Sequence, residues 1–229
     1  MITTIPTPTI IPMTPMAPMT DQSLLTLTQW LSPAFPLGSF AYSHALELAI
    51  TEGAVSNGAS LETWLTLTLQ KGGGRVDAWL LSMVVQGADA DEMAALAEAL
   101  AGTRERWSET YEQGAAFAKT VAQMGGVAAP ARALPVAVGV AARALDLPVK
   151  TVISLYLHSF TSNLVSAAVR FVPLGQAAGQ TVLSNMHKVI ASVAEEALSA
   201  TEAGLTTGAF AADLMAARHE DMDVRIFKT

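Results

Sequence analysis

The sequence predicts an all-α fold, a single-domain bundle of about ten helices, and three observations carry that prediction. Apolar residues recur at helical spacing in most segments: Ile153, Leu157, Phe160, Leu164 and Ala168 follow steps of 4, 3, 4 and 4. Breaks rich in Gly and Pro separate these segments. No run alternates apolar and polar residues between hairpin signals, as half-buried strands would.

The first twenty residues are low-complexity Thr, Pro, Ile and Met with five prolines, and read as a disordered or extended tail. Met13, Met16 and Met19 offer soft thioethers, but a repetitive tail produces that spacing by chance. Asp21 caps a first helix whose apolar face is Leu24, Leu25, Leu27, Trp30 and Leu31. Two prolines and a glycine in Ser32–Ser39 interrupt the pattern. A helix is expected again from about Ser39, with Tyr42, Leu46, Ala49 and Ile50 on one face and His44 and Glu47 beside them. Gly53–Gly58 reads as a loop, and Ser60 as the cap of a helix carrying Leu61, Trp64, Leu65 and Thr68.

Lys71-Gly-Gly-Gly-Arg75 lacks the spacing of a phosphate loop, and no strand precedes it, so a helix-to-helix hinge is expected. An apolar helix follows to Val85. Asp89 and Glu92 have capping-box spacing and open an Ala-rich helix to Ala101. Arg104–Met124 is a charged helix; its Glu105, Glu109 and Glu112 are read with the nearby arginines as a solvated face. Gly125, Gly126 and Pro130 break the chain before Leu134–Leu145, and Asp146-Leu-Pro148 resets it. The long helix from Lys150 bears a second stripe of Ser154, His158, Ser162 and Ser166. It ends at Arg170-Phe-Val-Pro-Leu-Gly-Gln-Ala-Ala-Gly-Gln180, where Pro173 removes a backbone donor. Gly175 and Gly179 permit close approach, and Gln176 and Gln180 share a helix face. A helix through Val182–Ala197, a break at Gly204–Gly208 and a short helix at Phe210–Arg218 complete the domain of residues 21–218. The 219–229 tail mixes charge with Met, Val, Ile and Phe without a period.

Composition narrows the function. A formal charge of -7 argues against a nucleic-acid footprint. With no cysteine, neither a disulfide framework nor a thiolate metal site can form, which fits a reducing cytoplasm. Charged residues are only 14% of the chain and mean hydropathy is +0.38. His158, Ser159, Asn163 and Arg170 interrupt the best membrane-span candidate, and the first twenty residues have no basic region of a signal peptide. A soluble chain with much apolar surface to bury against partners is expected. The catalytic motifs searched for are absent, and His44, His158, His187 and His219 are dispersed. An interaction protein is therefore the leading reading. The rivals are an all-α hydrolase or lyase using Glu105, Glu109 and a histidine, and a helical ligand-binding regulator, for which a basic DNA-reading element is lacking.

Five blocks in order resemble one family. They are Ser32-Pro-Ala-Phe-Pro-Leu-Gly-Ser-Phe-Ala-Tyr-Ser-His-Ala-Leu-Glu47, Arg104-Glu105 with Gln113-Gly114, Leu134-Pro-Val-Ala-Val-Gly139, Arg170-x-x-Pro-Leu-Gly-Gln-x-x-Gly-Gln180, and His219-Glu220 with Arg225-Ile-Phe227. Together they resemble the UreF family of urease accessory proteins over roughly residues 22–229. The chain departs from it at Ala45, where the family usually has Gly and a looser helix contact is expected here. It departs also in the tail, Asp-Val-Arg-Ile-Phe-Lys-Thr229, where the family more often reads Tyr-x-Arg-Leu-Phe-x-Ser.

The resemblance implies an all-helical, homodimeric, cytoplasmic chaperone. It would bridge a UreD/UreH-type scaffold to the GTPase UreG and couple GTP hydrolysis to nickel insertion into the urease apoprotein. It would have no catalytic role and no cofactor of its own, the complex handling nickel and GTP. The 219–229 tail is then expected to be disordered alone and to order on the UreD-type partner. His219, Glu220, Arg225, Ile226 and Phe227 would make that contact; Arg170, Gln176 and Gln180 would organise the tail or the dimer. Tyr42, His44 and Glu47 would belong to a UreG-facing surface.

Overall fold

A computed structural model of the chain describes residues 21–206 and 208–229. The Pro/Met-rich tail and its methionine spacing lie outside the described residues. The rest is all-α, with ten α-helices and three short 3-10 turns among the described residues. Two helices form the centre. α8 (Val149–Phe171) runs antiparallel to α9 (Gln176–Ala197), and α4 (Gly73–Val85) crosses both. α3 (Gly58–Lys71) covers α9, while α7 (Leu134–Ala142) covers another side of α4 and α6 (Arg104–Gln123) packs on α7. α4 reads as a near-continuous apolar run because Val76, Trp79, Leu80, Leu81 and Val84 point to several neighbours at once. α1 (Asp21–Trp30) and the loop after it join through Trp30 and Phe35, whose rings lie 5.6 and 5.8 Å from that of Phe117 on α6.

α8 is long and apolar enough to cross a membrane by length and composition, but half of its apolar window is buried inside the bundle. Its predicted face is in the core: Ile153, Leu157, Leu164 and Ala168 are buried, and Phe160 packs against it. Each buried Leu or Ile there contributes about 1.5–3 kcal/mol.

The helix boundaries follow local chemistry. At α3, Asn57 is the cap and Ser60 the third helical residue, each side chain serving the other's backbone N–H, so the predicted cap is displaced by three residues. Asp89 accepts from Asp91 and Glu92 N–H at 2.8 and 3.0 Å and opens α5 (Ala90–Ala99). The Lys71–Arg75 segment is the hinge between α3 and α4. Arg75 stacks on Trp79 and donates to the Thr206 carbonyl at 3.0 Å.

Two expectations fail. The helix predicted from Ser39 is a single 3-10 turn (Ser39–Ala41), extended backbone at Tyr42, and then α2 (Leu46–Thr51). The apolar spacing there reflects burial of an irregular segment, which periodicity alone cannot separate from a helix. The predicted solvated face of α6 is also wrong: Glu109 is 4% exposed. At the 170–180 corner, the prediction holds for Gly179, where an added Cβ would meet Val169 at 2.6 Å; Gly175 has open space.

Gly114 is more demanding. The segment after α6 passes so close that a Cβ at Gly114 would lie 1.9 Å from the Arg132 carbonyl oxygen. Backbone must move to accept it. Gly114→Ala is expected to lower stability by at least about 2 kcal/mol, at the upper end of ordinary overpacking. A melting midpoint unchanged from the wild type by calorimetry would contradict this packing.

Candidate functional site

The 219–229 tail follows α10 (Phe210–His219), which packs on α2, and turns back onto the bundle. Its seat is built from the irregular 41–45 segment, α2 and one face of α6. Glu47, on the first turn of α2 and 8% exposed, is at the centre. Its carboxylate accepts from the backbone N–H of Ile226 at 2.9 Å and of Phe227 at 2.9 Å. The fully buried His219 ring stands between two carboxylates, Nδ1 at 2.7 Å from Glu105 and Nε2 at 3.4 Å from Glu47. Arg225 also pairs with Glu105. Glu220 turns back to accept from the Glu105 N–H at 3.1 Å and to pair with Arg104 at 3.1 Å.

Backbone bonds extend the seat. Lys228 N–H donates to the Ala41 carbonyl at 2.8 Å, and Ser43 N–H to the Thr229 main-chain oxygen at 2.9 Å. The Phe227 ring is buried, 5.3 Å from Phe171. Two apolar residues before it, at alternate positions, point outward: Ile226 is 69% and Val224 81% exposed. The tail is therefore moulded to the body by main chain and by alternate side chains, and offers the others to solvent.

Beneath the tail lies a second charged layer. Arg106 donates to both Asp77 oxygens at 2.7 and 2.8 Å, and Tyr156 Oη donates to Asp77 Oδ2 at 2.8 Å. Glu109 sits 3.5 Å from Arg106 and 3.5 Å from His44 Nδ1, and accepts from Thr229 Oγ1 at 3.3 Å. Burial pushes the Glu109 carboxyl up, but Arg106, His44 and Thr229 together hold it below its ordinary value. Burial and the Asp77 charge push the Tyr156 hydroxyl well up. Tyr42 is raised by burial and by donating to Glu112 at 2.6 Å. The bond from Tyr42 and the Lys228 ammonium keep Glu112 below its ordinary value. Removing one member of a buried pair such as Asp77–Arg106 costs about 3–5 kcal/mol, because the other charge stays behind unpaired.

The predicted site residues thus fall into two places. Tyr42, His44 and Glu47 were expected on an outward surface, but Tyr42 and Glu47 are buried and His44 largely so, because the tail covers them. They join His219, Glu220, Arg225, Ile226 and Phe227 in one constellation. The tail is not a free segment in this structure; the side chains of His219, Glu220, Arg225 and Phe227 hold it, and Ile226 is held by its main-chain N–H. Arg170, Gln176 and Gln180 are brought together elsewhere, along a groove between α8, α9 and the 31–40 loop that also carries Phe40, Asn163 and Ser166. All three are exposed, and among the described residues Arg170 forms no ion pair. The corner meets the tail through Phe171, the residue after Arg170.

Sequence reasoning missed Asp77, Arg106, Ser43 and Thr229. Asp77 was the one signal available, an acid inside an otherwise apolar helix. A cavity of about 200 Å³ lies beside this layer, lined by His44, Asp77, Glu105, Arg106 and Glu109 among others. The carboxylates and histidines of the rival enzyme reading do converge here. Asp77, Glu105 and Glu109 are each engaged by an arginine, a histidine or a tail group, while Asp213 of α10, which also lines the cavity, is pushed up by burial.

Comparison with known proteins places this geometry. The UreF family model matches residues 55–187, more than half of the chain. A urease accessory protein UreF of Cereibacter sphaeroides is 54% identical over 209 residues, 91% of this chain and 100% of that protein. One from a Jannaschia species is 52% identical over 207 residues, covering 90% and 94%. The chain belongs to the UreF family of urease accessory proteins. Ala45 has φ 60°, in the left-handed region where Gly is cost-free and another L-residue loses about 1–2 kcal/mol. In this chain the position makes the turn into α2.

Acid should loosen the tail. Glu109, Glu112 and Glu220 each have a folded-state pKa below the ordinary 4.5. Groups depressed in this way add stability above the unfolded value, and it is lost as pH falls through the folded value. Glu112 reaches Lys228, Glu109 reaches Thr229 and Glu220 reaches Arg104, so all three tie tail to body. Below about pH 4.5, limited proteolysis is expected to cut within 219–229 before the helical circular dichroism is lost. Cleavage there that is equally fast at pH 7 would contradict the assignment.

Proposed function

We propose that this UreF-family chain is a urease maturation chaperone that bridges a UreD/UreH-type scaffold to the GTPase UreG and couples GTP hydrolysis to nickel insertion into the urease apoprotein. In this reading it is a cytoplasmic homodimer, has no catalytic reaction or cofactor of its own, and treats nickel as cargo of the complex. The names of its relatives support the urease role. The observation that carries the partner surface is the moulded tail: Glu47 fixes the main chain at Ile226 and Phe227, so Ile226 and Val224 are held outward at a defined place. Pre-ordering that segment removes an entropic cost that a free peptide would meet on binding. The tail is the UreD/UreH-type contact. The Arg170–Gln180 groove, rich in uncommitted donors and edged by the exposed Phe40, suits the dimer or a second partner. The residues proposed at sequence level for UreG, namely Tyr42, His44 and Glu47, act from beneath by shaping the tail.

The test is a pull-down with the UreD/UreH-type and UreG proteins. Ile226→Asp places a charge in the centre of the proposed contact while leaving the Glu47 bonds to main-chain N–H intact. It is expected to weaken retention of the UreD/UreH-type protein at least tenfold, with the melting midpoint within 2 °C, about the size of a small surface effect. Retention equal to the wild type would refute the tail as that contact.

A further inference from the structure

The α8–α9 seam carries a feature that tail and groove do not use. His158 of α8 faces α9, and there its ring lies 5.5 Å, centroid to centroid, from the ring of His187, with 40° between their planes. Lys150, eight residues before His158 on α8, pairs at 2.6 Å with Glu195, eight residues after His187 on α9, so the two histidines are in register across an antiparallel pair. The pair sits on rigid backbone, in the longest helix contact of the bundle, and not on a loop. His187 is exposed and His158 half-buried, so the site is open to solvent on one side.

We propose that His158 and His187 form a two-imidazole site for a divalent late first-row cation, with zinc as the best geometric match. Metal–nitrogen bonds of about 2.0–2.1 Å put each ring centroid about 3.2 Å from the ion, so two imidazoles at tetrahedral to trigonal angles lie about 5.2–5.5 Å apart. The observed spacing falls at the upper end of that range. Right-angled ligands on a six-coordinate ion would bring the rings to about 4.5 Å, shorter than the 5.5 Å observed. The flanking positions one turn away on α8, Ser154 and Ser162, are uncharged. Lys188 follows His187 but projects about 100° further around the helix.

Two ligands make an open site. No group of three or more His, Cys, Asp or Glu suited to a metal occurs among the described residues, so the remaining positions go to water or to a donor from outside the chain. Such a site exchanges its ion readily, unlike a closed structural centre. The proposal stands on the histidine geometry alone and is independent of the urease reading: it requires neither the tail contact nor the partner proteins.

The test uses the full chain and Zn2+ alone, at pH 7.5. Calorimetric titration is expected to give one site, and His187→Ala to weaken it at least tenfold with the metal-free melting midpoint unchanged. His158→Gln should do the same, and helical circular dichroism verifies that both variants fold. In the wild type, the ring resonances that move on Zn2+ addition should be those of His158 and His187. The proposal is overturned if the wild type does not bind 1 mM Zn2+. It is overturned equally if His187→Ala loses less than tenfold, or if the moving resonances belong to His44 and His219.

Discussion

One buried carboxylate governs the arrangement of this molecule. Glu47 would be costly at 8% exposure without compensation. It finds that compensation in two backbone N–H groups and a histidine that all belong to the last helix and the tail. The dependence runs both ways. The tail is not helical and has no period of its own, so its main-chain donors need an acceptor placed by the body. Glu47 on its short helix supplies one, and charge-assisted bonds of this kind are about twice as strong as neutral ones.

The rest of the fold holds that acceptor still. α2 is six residues long, too short to be stable by itself, and is fixed by packing on α8 and α10. Before it, two non-glycine residues, His44 and Ala45, stand in the left-handed region, a cost sustained because the segment is tied down on both sides. Ser43 holds the Thr229 main-chain oxygen, and His44 packs edge-on against Phe160 of α8. The lower layer, Asp77 with Arg106 and Tyr156, locks α4, α6 and α8 to each other, and Arg106 faces Glu109 as well as Asp77.

How much of this was legible depends on the range of the interaction. α8 and α9 were plain because a long amphipathic stripe and a Pro/Gly corner are local signals. The capping of α5 by Asp89 was legible for the same reason. The 39–45 segment was misread as helix because its buried residues happen to recur at helical spacing, while its real determinants are contacts to residue 229 and to α8. Glu105 and Glu109 looked like a solvated pair because sequence shows the neighbouring arginines but not that Arg106 turns inward to Asp77, 29 residues earlier. The tail looked free because its partner, Glu47, lies about 180 residues away. The family resemblance picked out nearly every residue of the seat, yet gave the outer role to Glu47 and the covered role to none. Geometry reverses that: the acid is underneath, and the apolar residue beside Phe227 is outside.

The most direct measurement is amide hydrogen exchange at Ile226 and Phe227 in the isolated chain. Their N–H groups donate to a buried carboxylate, so exchange is expected at least 100-fold slower than for an unstructured peptide. It should return to peptide rates in Glu47→Ala while core amides of α8 stay protected. Unprotected exchange at both amides in the wild type at pH 7 would contradict the account, because the tail would then be free and Glu47 would need another partner.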